Sequence, residues 1–408
     1  MHILFLTDNF PPEVNAPASR TFEHCREWVR MGHRVTVITT APNFPAGKLI
    51  GGYRNRLHAR ETIEGIEVVR VWSYITANEG FFKRTLDYVS FATVGFIASL
   101  FVKRPDVIVA TSPQFFTACA GWAAGLFRHR PYVFELRDLW PESIRALGAV
   151  KNNTALEALE RLELFLYRRA TLVVSVTNAF KRNLVERGIP PEKIDVITNG
   201  ADLSRYAPRP KDAALVEQLG LEGKFVAGYI GTHGMAHALC TILDAAATLQ
   251  ARGETDICFL MVGDGADKAS LKADAERRGL ANIAFIDTVS KDDVVRYWSL
   301  LDASVIHLRN TPLFRTVIPS KIFECMAMGI PILLGVDGEA ADIVRRENVG
   351  IVFPPENADS LVDALVRMRD DKAARAGFAE RAVAGAQRFD RAVLARQLLE
   401  LLARVAHR

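Results

Sequence analysis

Short apolar strands alternate with helical stretches along the whole 408-residue chain, and no other feature limits its possible folds as much. Several strand candidates are unbroken runs of apolar residues, such as 107–110 and 257–262, which are typical of strands buried on both faces of a sheet. The alternation therefore predicts an α/β fold in which helices cover both faces of doubly wound parallel sheets.

Twelve segments qualify as strands. The candidates are residues 2–7, 34–39, 107–110, 132–136, 172–176 and 194–197 in the first half, and 225–230, 257–262, 283–286, 303–307, 331–334 and 350–352 in the second. A chain of this length exceeds the usual size of one hydrophobic core, and a polar stretch ending in Pro208 and Pro210 separates the two halves. We expect two Rossmann-like domains, residues 1–203 and 204–387, with a C-terminal helix of about 388–408 packing back on the first.

Composition excludes several functional classes. The net charge of +4 is too small to indicate general nucleic-acid binding. The five cysteines have no metal-ligand or redox spacing, which favours a reducing compartment and no structural zinc. The first residues, MHILFLTDNF, read as a strand with no export signal, so we expect a cytoplasmic protein.

Residues 315–334 contain the most informative candidate site. Their pattern predicts a loop, a helix from Lys321 to Met328 ended by Gly329, and a buried strand. Free amide groups at the start of a helix favour an anion, and Lys321 lies one helical turn before Glu324. This arrangement suits a nucleoside diphosphate, with its phosphates at the helix start and its ribose hydroxyls on the carboxylate. A solvated Lys–Glu pair on a capped helix is the alternative.

Further candidates follow other predicted strands, where ligands of parallel sheets bind. Gly231-Thr232-His233-Gly234 allows a close approach of backbone to phosphate, although it also fits an ordinary glycine turn. Gly263-Asp264-Gly265 is a weaker turn signal. Arg309 and Arg315 join Lys321 in a basic trio that would neutralise a leaving diphosphate, or would simply be surface cations.

The first half offers a charged group at the end of the strand 132–136. Glu135 lies in the strand, and Arg137, Asp138 and Glu142 follow it. An acidic residue at this edge would orient or deprotonate an acceptor hydroxyl. Capping of a helix by Asp138 is the competing role.

The segment 81–102 has an apolar centre between two basic pairs, Lys83-Arg84 and Lys103-Arg104. It is too short to span a membrane comfortably. It fits a buried helix that covers the sheet, and it also fits a helix at an anionic bilayer surface. Both interpretations hold if one end of the helix is exposed.

Three passages together resemble the retaining glycosyltransferases of family four, which have the GT-B fold of two Rossmann-like domains facing across a cleft. These are DNFPPE at 8–13, the N-G-x-D signature at Asn199, Gly200 and Asp202, and PSKIFECMAMGIPIL with its carboxylate at Glu324. With RDLWPES at 137–143 and the 81–102 segment, the chain is similar to the WbuB-like subgroup. That subgroup adds amino-deoxy sugars such as N-acetyl-L-fucosamine from UDP donors in O-antigen or exopolysaccharide assembly.

The resemblance implies roles for particular residues. Glu324 would hold the ribose, and Thr316 stands where the family has its first carboxylate. The implied diphosphate contacts are Gly231, Thr232, His237, Arg309, Val317, Ile318, Ser320 and Lys321, with Thr288 and Val289 near the base. The implied acceptor side comprises Asn15, Ala16, Glu135, Arg137 and Asp138.

The implied activity is retaining sugar transfer from a UDP-sugar to a polyprenyl-diphosphate-linked saccharide or growing glycan. The family needs no cofactor and no metal, because cationic side chains and a helix terminus carry the diphosphate charge. We expect such an enzyme at the cytoplasmic face of the inner membrane, with closure about the seam near 199–210. A UDP-sugar 2-epimerase of the same fold and an inactive nucleotide-sugar-binding subunit are the alternatives.

Overall fold

The computed structural model of the chain describes residues 1–44, 47–76, 81–140 and 153–407. These residues form two compact units. The first comprises Met1–Thr198 with Arg391–Arg408, and the second is Asn199–Asp390. Each unit contains one sheet with a hydrophobic core cluster on either face, so the expected α/β class with two Rossmann-like halves is confirmed.

The first unit is built on an eight-stranded sheet in the order β3-β4-β2-β1-β5-β6-β7-β8. Its strands are β1 His2–Leu6, β2 Arg34–Thr40, β3 His58–Ile63, β4 Ile66–Val71, β5 Val107–Thr111, β6 Tyr132–Leu136, β7 Leu172–Ser175 and β8 Ile194–Val196. Successive side chains of β1 enter opposite cores, because Ile3 and Phe5 pack in one cluster and Leu4 and Leu6 in the other. This burial on both faces explains the continuous apolar strands.

Among the described residues of this unit, six helices surround the sheet. They are α1 Ala16–Arg30, α2 Phe81–Phe101, α3 Phe115–Arg128, α4 Asn153–Arg169, α5 Asn178–Glu186 and, from the end of the chain, α14 Arg391–Ala406. Helix α14 packs on α1, where the indole Nε1 of Trp28 donates to the Ala395 carbonyl at 2.8 Å. Trp28 and Leu398 are fully buried at this contact.

The second unit has a six-stranded, all-parallel sheet in the order β11-β10-β9-β12-β13-β14. Its strands are β9 Phe225–Ile230, β10 Ile257–Val262, β11 Ile283–Ile286, β12 Ala303–His307, β13 Ile332–Gly335 and β14 Gly350–Val352. The helices are α6 Ala213–Gln218, α7 Cys240–Ala251, α8 Lys268–Arg277, α9 Val294–Trp298, α10 Lys321–Met328, α11 Glu339–Glu347, α12 Ala358–Asp370 and α13 Lys372–Ala386.

All twelve predicted strands are present, with ends within one residue of the prediction. The sequence pattern missed β3 and β4, which form an antiparallel hairpin at the edge of the first sheet. Side chains of β3 alternate between exposed and half-buried, so this strand has no apolar run. The turn is made by Glu64 and Gly65, both with positive φ, which fits the two-residue hairpin turns that match strand twist.

Helix α2 is buried along one face and exposed at its C-terminal end. Phe91 is fully buried, and the backbone at Gly95 packs beside Ile38 of the sheet. Ile97 and Phe101, by contrast, are 47% and 77% exposed. One face of α2 therefore covers the sheet while its C-terminal end presents apolar side chains to solvent. No helix in the described part of the chain is long and apolar enough to cross a bilayer.

Candidate functional site

The loop before α10 leaves backbone amides available, as the sequence predicted. Helix α10 begins at Lys321, and Gly329 ends it in the left-handed conformation at φ 69°. Within the described chain, no group accepts a hydrogen bond from the amides of Ile318, Ser320 or Lys321, and Pro319 between them has no N–H. These amides lie at the positive end of the helix, so the site favours an anion.

The Lys321 ammonium has a neutral hydrogen-bond partner. Its Nζ donates to the Tyr229 hydroxyl at 2.8 Å and lies 4.0 Å from the centre of the same ring. The Tyr229 hydroxyl in turn donates to the Thr232 carbonyl at 2.7 Å, so its lone pair faces the ammonium. Burial lowers the pKa of Lys321 to about 8, although Glu324 one turn away favours the charged form. An anionic ligand would restore the lost stabilisation of this cation.

Three glycines bring neighbouring loops into direct contact beside Lys321. A Cβ at Gly231, where φ is 143°, would lie 2.3 Å from Cε of Lys321. A Cβ at Gly263 would lie 2.0 Å from the Gly231 carbonyl oxygen, and one at Gly265 would lie 2.4 Å from the His233 carbonyl oxygen. The 231–234 and 263–265 turns are therefore packed backbone to backbone, which requires glycine at 263 and 265, and Gly231 has a positive φ that favours glycine.

A neutral histidine at the end of β12 joins two neighbouring loops. His307 accepts from the Glu356 amide at Nε2 (2.8 Å), so its Nδ1 carries the proton and donates to the His237 carbonyl at 2.7 Å. The Arg309 amide donates to the Ala236 carbonyl at 2.9 Å. Burial, with a smaller contribution from Lys321, lowers the pKa of the His237 side chain to about 3, so this ring is neutral. Sequence reasoning missed Tyr229 and His307 because both look like ordinary strand residues.

The remaining predicted residues of this unit lie close to the same loop but differ in exposure. Arg309 and Arg315 are exposed, and the Arg315 side chain approaches Asp337 at 3.9 Å. The Thr316 hydroxyl donates to the Leu313 carbonyl at 2.7 Å.

Two further predictions concern the base and the diphosphate. Thr288 is exposed, and Val289 packs against the core. The Val317 amide already donates to Phe314 at 3.3 Å, so its expected role as a diphosphate donor disagrees with the structure. The Ile318 amide has no acceptor among the described residues.

In the first unit the charged group after β6 is largely structural. Glu135 is 1% exposed, and its Oε1 accepts from Arg20 Nε at 3.0 Å. Burial opposes its charge, but Arg20 and Arg137 outweigh burial and leave the pKa of Glu135 lowered. Glu135 is therefore an internal partner of Arg20, contrary to the expectation that it faces an acceptor. Glu142 lies outside the described residues.

The other predicted acceptor-side residues organise the start of α1. Asn15 caps this helix, because its Oδ1 accepts from the Ala18 amide at 2.9 Å. Arg137 donates to the carbonyls of Ala16 and Pro17, each at 3.2 Å, and burial lowers its pKa to about 9. Asp138 is half-buried, and its amide donates to the Ser112 hydroxyl at 3.3 Å. Asn15, Arg137 and Asp138 are half-buried, and Ala16 is exposed.

Comparison with known families identifies the class of protein. Residues 15–200 match the glycosyl transferase 4-like domain, and residues 224–371 match the glycosyl transferases group 1 domain. The two matches follow one another and cover most of the chain. The protein therefore belongs to the glycosyltransferases with the GT-B fold.

Individual relatives are distant but similar over nearly their full length. The chain is 25% identical to the putative colanic acid biosynthesis glycosyl transferase WcaI of Escherichia coli K12 over 378 residues, covering 90% of this chain and 91% of that protein. It is also 25% identical over 393 residues to a GDP-mannose-dependent alpha-mannosyltransferase of Mycobacterium tuberculosis, covering 94% and 92%.

A solved structure shows the same fold. The crystal structure of Anabaena Alr3699/HepE in complex with UDP and glucose has a TM-score of 0.73 and 20% identity, covering 98% of this chain and 99% of that chain.

Proposed function

We propose that this glycosyltransferase moves a sugar, an N-acetylated amino-deoxy hexose, from a UDP donor to a lipid-linked or growing glycan acceptor, with retention of anomeric configuration. The pathway is the synthesis of a bacterial cell-surface polysaccharide. The observation that carries the proposal is the desolvated Lys321 ammonium beside three unpaired amides at the start of α10. The names of WcaI and of the UDP-bound HepE structure support the pathway and the donor.

In this proposal the second unit holds the donor through its diphosphate and ribose. The amides of Ile318 and Ser320 and the Lys321 ammonium bind the phosphate oxygens, and Glu324 binds the ribose hydroxyls. Gly231 and Thr232 line the phosphates, and Thr288 and Val289 lie near the base. These cationic and amide donors carry the phosphate charge, so the reaction proceeds without a metal.

The chemical step needs no protein nucleophile. The bond between the sugar C1 and the diphosphate oxygen breaks as the acceptor oxygen bonds to C1 on the same face. The acceptor proton passes to the leaving diphosphate oxygen. Lys321 and Arg309 stabilise the negative charge that develops on that oxygen, and Asp138 orients the acceptor hydroxyl.

Donor recognition is tested by calorimetric titration with UDP, GDP and ADP. We expect UDP to bind most tightly, and Glu324→Ala to weaken UDP binding while the exposed-helix control Glu276→Ala does not. If Glu324 holds the ribose, its removal and the use of 2′,3′-dideoxy-UDP will have effects that do not add. Preference for GDP, as the name of the mannosyltransferase relative suggests for that protein, would overturn the donor assignment.

Turnover separates the transferase from its two alternatives. UDP-N-acetyl sugars are incubated with and without a polyprenyl-diphosphate-linked sugar, and products are followed by NMR. We expect UDP release and a retained anomeric configuration only when the acceptor is present. Conversion of the UDP-sugar without acceptor would identify an epimerase, and UDP binding with no turnover would identify a binding subunit.

A lipid-linked acceptor requires access to a membrane surface, and one exposed surface fits this need. The apolar patch consists of Ile97, Phe101, Leu126 and Phe127, which are 47–77% exposed. The C-terminal ends of α2 and α3 form it together, since Arg128 of α3 donates to the carbonyls of Leu100 and Val102. Lys103 and Arg104 beside the patch are exposed, and each basic residue near an anionic bilayer contributes about 1 kcal/mol. We assign the patch to the anionic cytoplasmic face of the inner membrane.

Vesicle flotation tests this assignment. The double variants Phe101→Ser/Phe127→Ser and Lys103→Ser/Arg104→Ser should both release the protein from phosphatidylglycerol-containing vesicles. Val185→Ser removes an exposed apolar side chain from α5 and is the matched control. Unchanged partitioning of both double variants would show that the patch does not contact lipid.

A further inference from the structure

His307, the last residue of β12, links the backbones of two loops in the second unit. Its side chain is 1% exposed. The Nδ1–H donates to the His237 carbonyl at 2.7 Å, and Nε2 accepts from the Glu356 amide at 2.8 Å. His237 ends the short 3-10 turn Met235–His237 after β9, and Glu356 lies between β14 and α12. One side chain therefore connects two segments that are distant in the sequence.

Close packing leaves the His307 ring little freedom to turn. The ring stacks on Phe353, with the ring centroids 6.0 Å apart and an angle of 13° between the planes. A Cβ added at Gly335 would lie 2.3 Å from Cδ2 of His307, so the ring lies directly against the backbone of β13. The two hydrogen bonds therefore keep fixed directions, and together they require the neutral tautomer with its proton on Nδ1.

Both loops have a residue in the left-handed backbone conformation at the hydrogen bond to His307. Glu356 has a φ of 59°, and Ala238, which follows His237, has a φ of 44°. Neither residue is glycine, so this conformation persists only where the surrounding structure fixes it. The Arg309 amide also donates to the Ala236 carbonyl at 2.9 Å. The end of β12 therefore holds two successive carbonyls of the turn.

The Met235–His237 turn is connected to the Lys321 ammonium through aromatic contacts. It lies shortly after Thr232 in the chain. The His237 ring meets the Tyr229 ring at 64°, with the centroids 5.8 Å apart. The Tyr229 hydroxyl accepts from the Lys321 ammonium at 2.8 Å. A shift of the turn would therefore change the surroundings of Lys321.

We propose that neutral His307 is a positioning residue for the donor diphosphate, on which it acts through the Met235–His237 turn. The inference rests on the proposed binding of the diphosphate at Lys321. In the neutral ring one nitrogen donates and the other accepts, and the two loops need one of each. A proton on Nε2 would remove the acceptor of the Glu356 amide. UDP binding therefore depends on a neutral His307.

The groups that face His307 keep its ring neutral near pH 7. Burial lowers the pKa of His307, while the hydrogen bond to the His237 carbonyl and the Glu356 carboxylate act in the opposite direction. The His237 ring has a pKa of about 3 and stays neutral, and the charge of Lys321 acts on that ring. Phe353 and Gly335, which pack against His307, do not titrate. His307 therefore gains a proton only below the usual histidine range, and UDP affinity should fall there.

The experiment measures UDP affinity by calorimetric titration for His307→Gln and His307→Leu. Glutamine keeps a donor and an acceptor but does not titrate, and leucine has neither. His2 of β1 provides the matched controls His2→Gln and His2→Leu. It is also buried, and its ring nitrogens lie 3.2 Å from the Arg104 carbonyl oxygen and 2.9 Å from the Thr36 hydroxyl. The controls therefore measure the loss of a buried, hydrogen-bonded histidine in the other unit.

We expect His307→Leu to bind UDP about tenfold more weakly than the wild-type protein at pH 7, as for one lost hydrogen bond. His307→Gln should bind within about threefold of wild type, and both His2 variants within about twofold. Between pH 7 and about pH 5, affinity should fall more in the wild-type protein than in His307→Gln, because only the histidine gains a proton. Protonation of UDP itself affects both proteins alike.

The inference is overturned if His307→Leu binds UDP like wild type, if His307→Gln binds as weakly as His307→Leu, or if the His2 variants lose as much affinity. Coinciding pH profiles of wild type and His307→Gln would overturn it as well. If circular dichroism shows that His307→Leu does not fold, these two pH profiles decide the matter. Absence of UDP binding by the wild-type protein at every pH would instead refute the proposed function.

Discussion

Each unit has a basic side chain at the carboxyl edge of its sheet, but the two side chains have different partners. Arg20 in the first unit is 2% exposed, pairs with the Glu135 carboxylate at 3.0 Å, and also donates to the carbonyls of Ile197 and Thr198. Lys321 in the second unit donates to one neutral hydroxyl, that of Tyr229, and lies against the same ring.

This difference in partners distinguishes a charge with a structural role from a charge that is available to bind a ligand. Burial lowers the pKa of both cations, but Arg20 is matched by a carboxylate whose own pKa is lowered by the pairing. The phenol oxygen near Lys321 brings no negative charge, so the energetic cost of burying this ammonium is only partly offset. A charge that is paired with an opposite charge inside the protein supports the fold. A charge that has only a neutral partner favours binding of an oppositely charged group.

The largest expected effect breaks the structural pair. Arg20→Met leaves the Glu135 carboxylate buried without its cation, which should lower the free energy of unfolding by about 3–5 kcal/mol. Urea denaturation followed by circular dichroism measures this change. A loss below about 1 kcal/mol would mean that Glu135 does not depend on Arg20. UDP affinity of the folded variant should be unchanged.

Lys321→Met should have the opposite effects on stability and on UDP affinity. It removes the cation that binds the diphosphate, so UDP binding should weaken by about 1.5–3 kcal/mol in calorimetric titration, as for a lost hydrogen bond to a charged group. Stability should hold or rise, because a desolvated ammonium is replaced by an apolar side chain of similar length. Lys272→Met removes an exposed lysine of the same unit and should change neither quantity. A large stability loss with normal UDP affinity would show that Lys321, like Arg20, has a structural role.

The pH dependence of UDP binding sharpens the comparison further. The pKa of Lys321 is about 8, so the fraction of charged ammonium falls about tenfold between pH 7 and pH 9, and UDP affinity should fall by a similar factor. The UDP affinity of Lys321→Met should not show this decrease between pH 7 and pH 9.

Stability should respond to pH in the opposite direction. Between pH 8 and the unfolded pKa near 10.5, the unfolded chain binds more protons at this site, so the folded state gains stability as pH rises. The gain measured by urea denaturation should be smaller in Lys321→Met than in the wild-type protein. Equal pH profiles for the two proteins would contradict the lowered pKa.

The smallest expected effect comes from Tyr229→Phe. This change removes the hydroxyl between Lys321 and the Thr232 carbonyl but keeps the ring under the ammonium. Stability should fall by about 0.5–1.5 kcal/mol, the usual value of one hydrogen bond, and UDP affinity should change less than threefold. A loss of affinity as large as that of Lys321→Met would show that the hydroxyl, and not the ammonium charge, organises the site.

Much of the fold could be predicted because strands that are buried on both faces consist mostly of apolar residues, which are visible in the sequence. The β9 and β10 strands were predicted with their observed ends for this reason. The β3–β4 hairpin could not be, because β3 lies at a sheet edge, is mostly polar and has no apolar run. The α10 helix and its Gly329 stop were also predictable, since each signal lies within one turn of the helix end that it marks.

The sequence by itself determined the parallel α/β architecture, the α10 loop and the residue types available for an anion, because these depend on local periodicity and capping. Only the tertiary structure decided which charges are paired with an opposite charge inside the protein. Arg20 and Glu135 are 115 positions apart, and Lys321 and Tyr229 are 92 apart. Whether a buried charge finds a carboxylate or a neutral hydroxyl depends on contacts between distant segments, which strand and helix patterns do not encode.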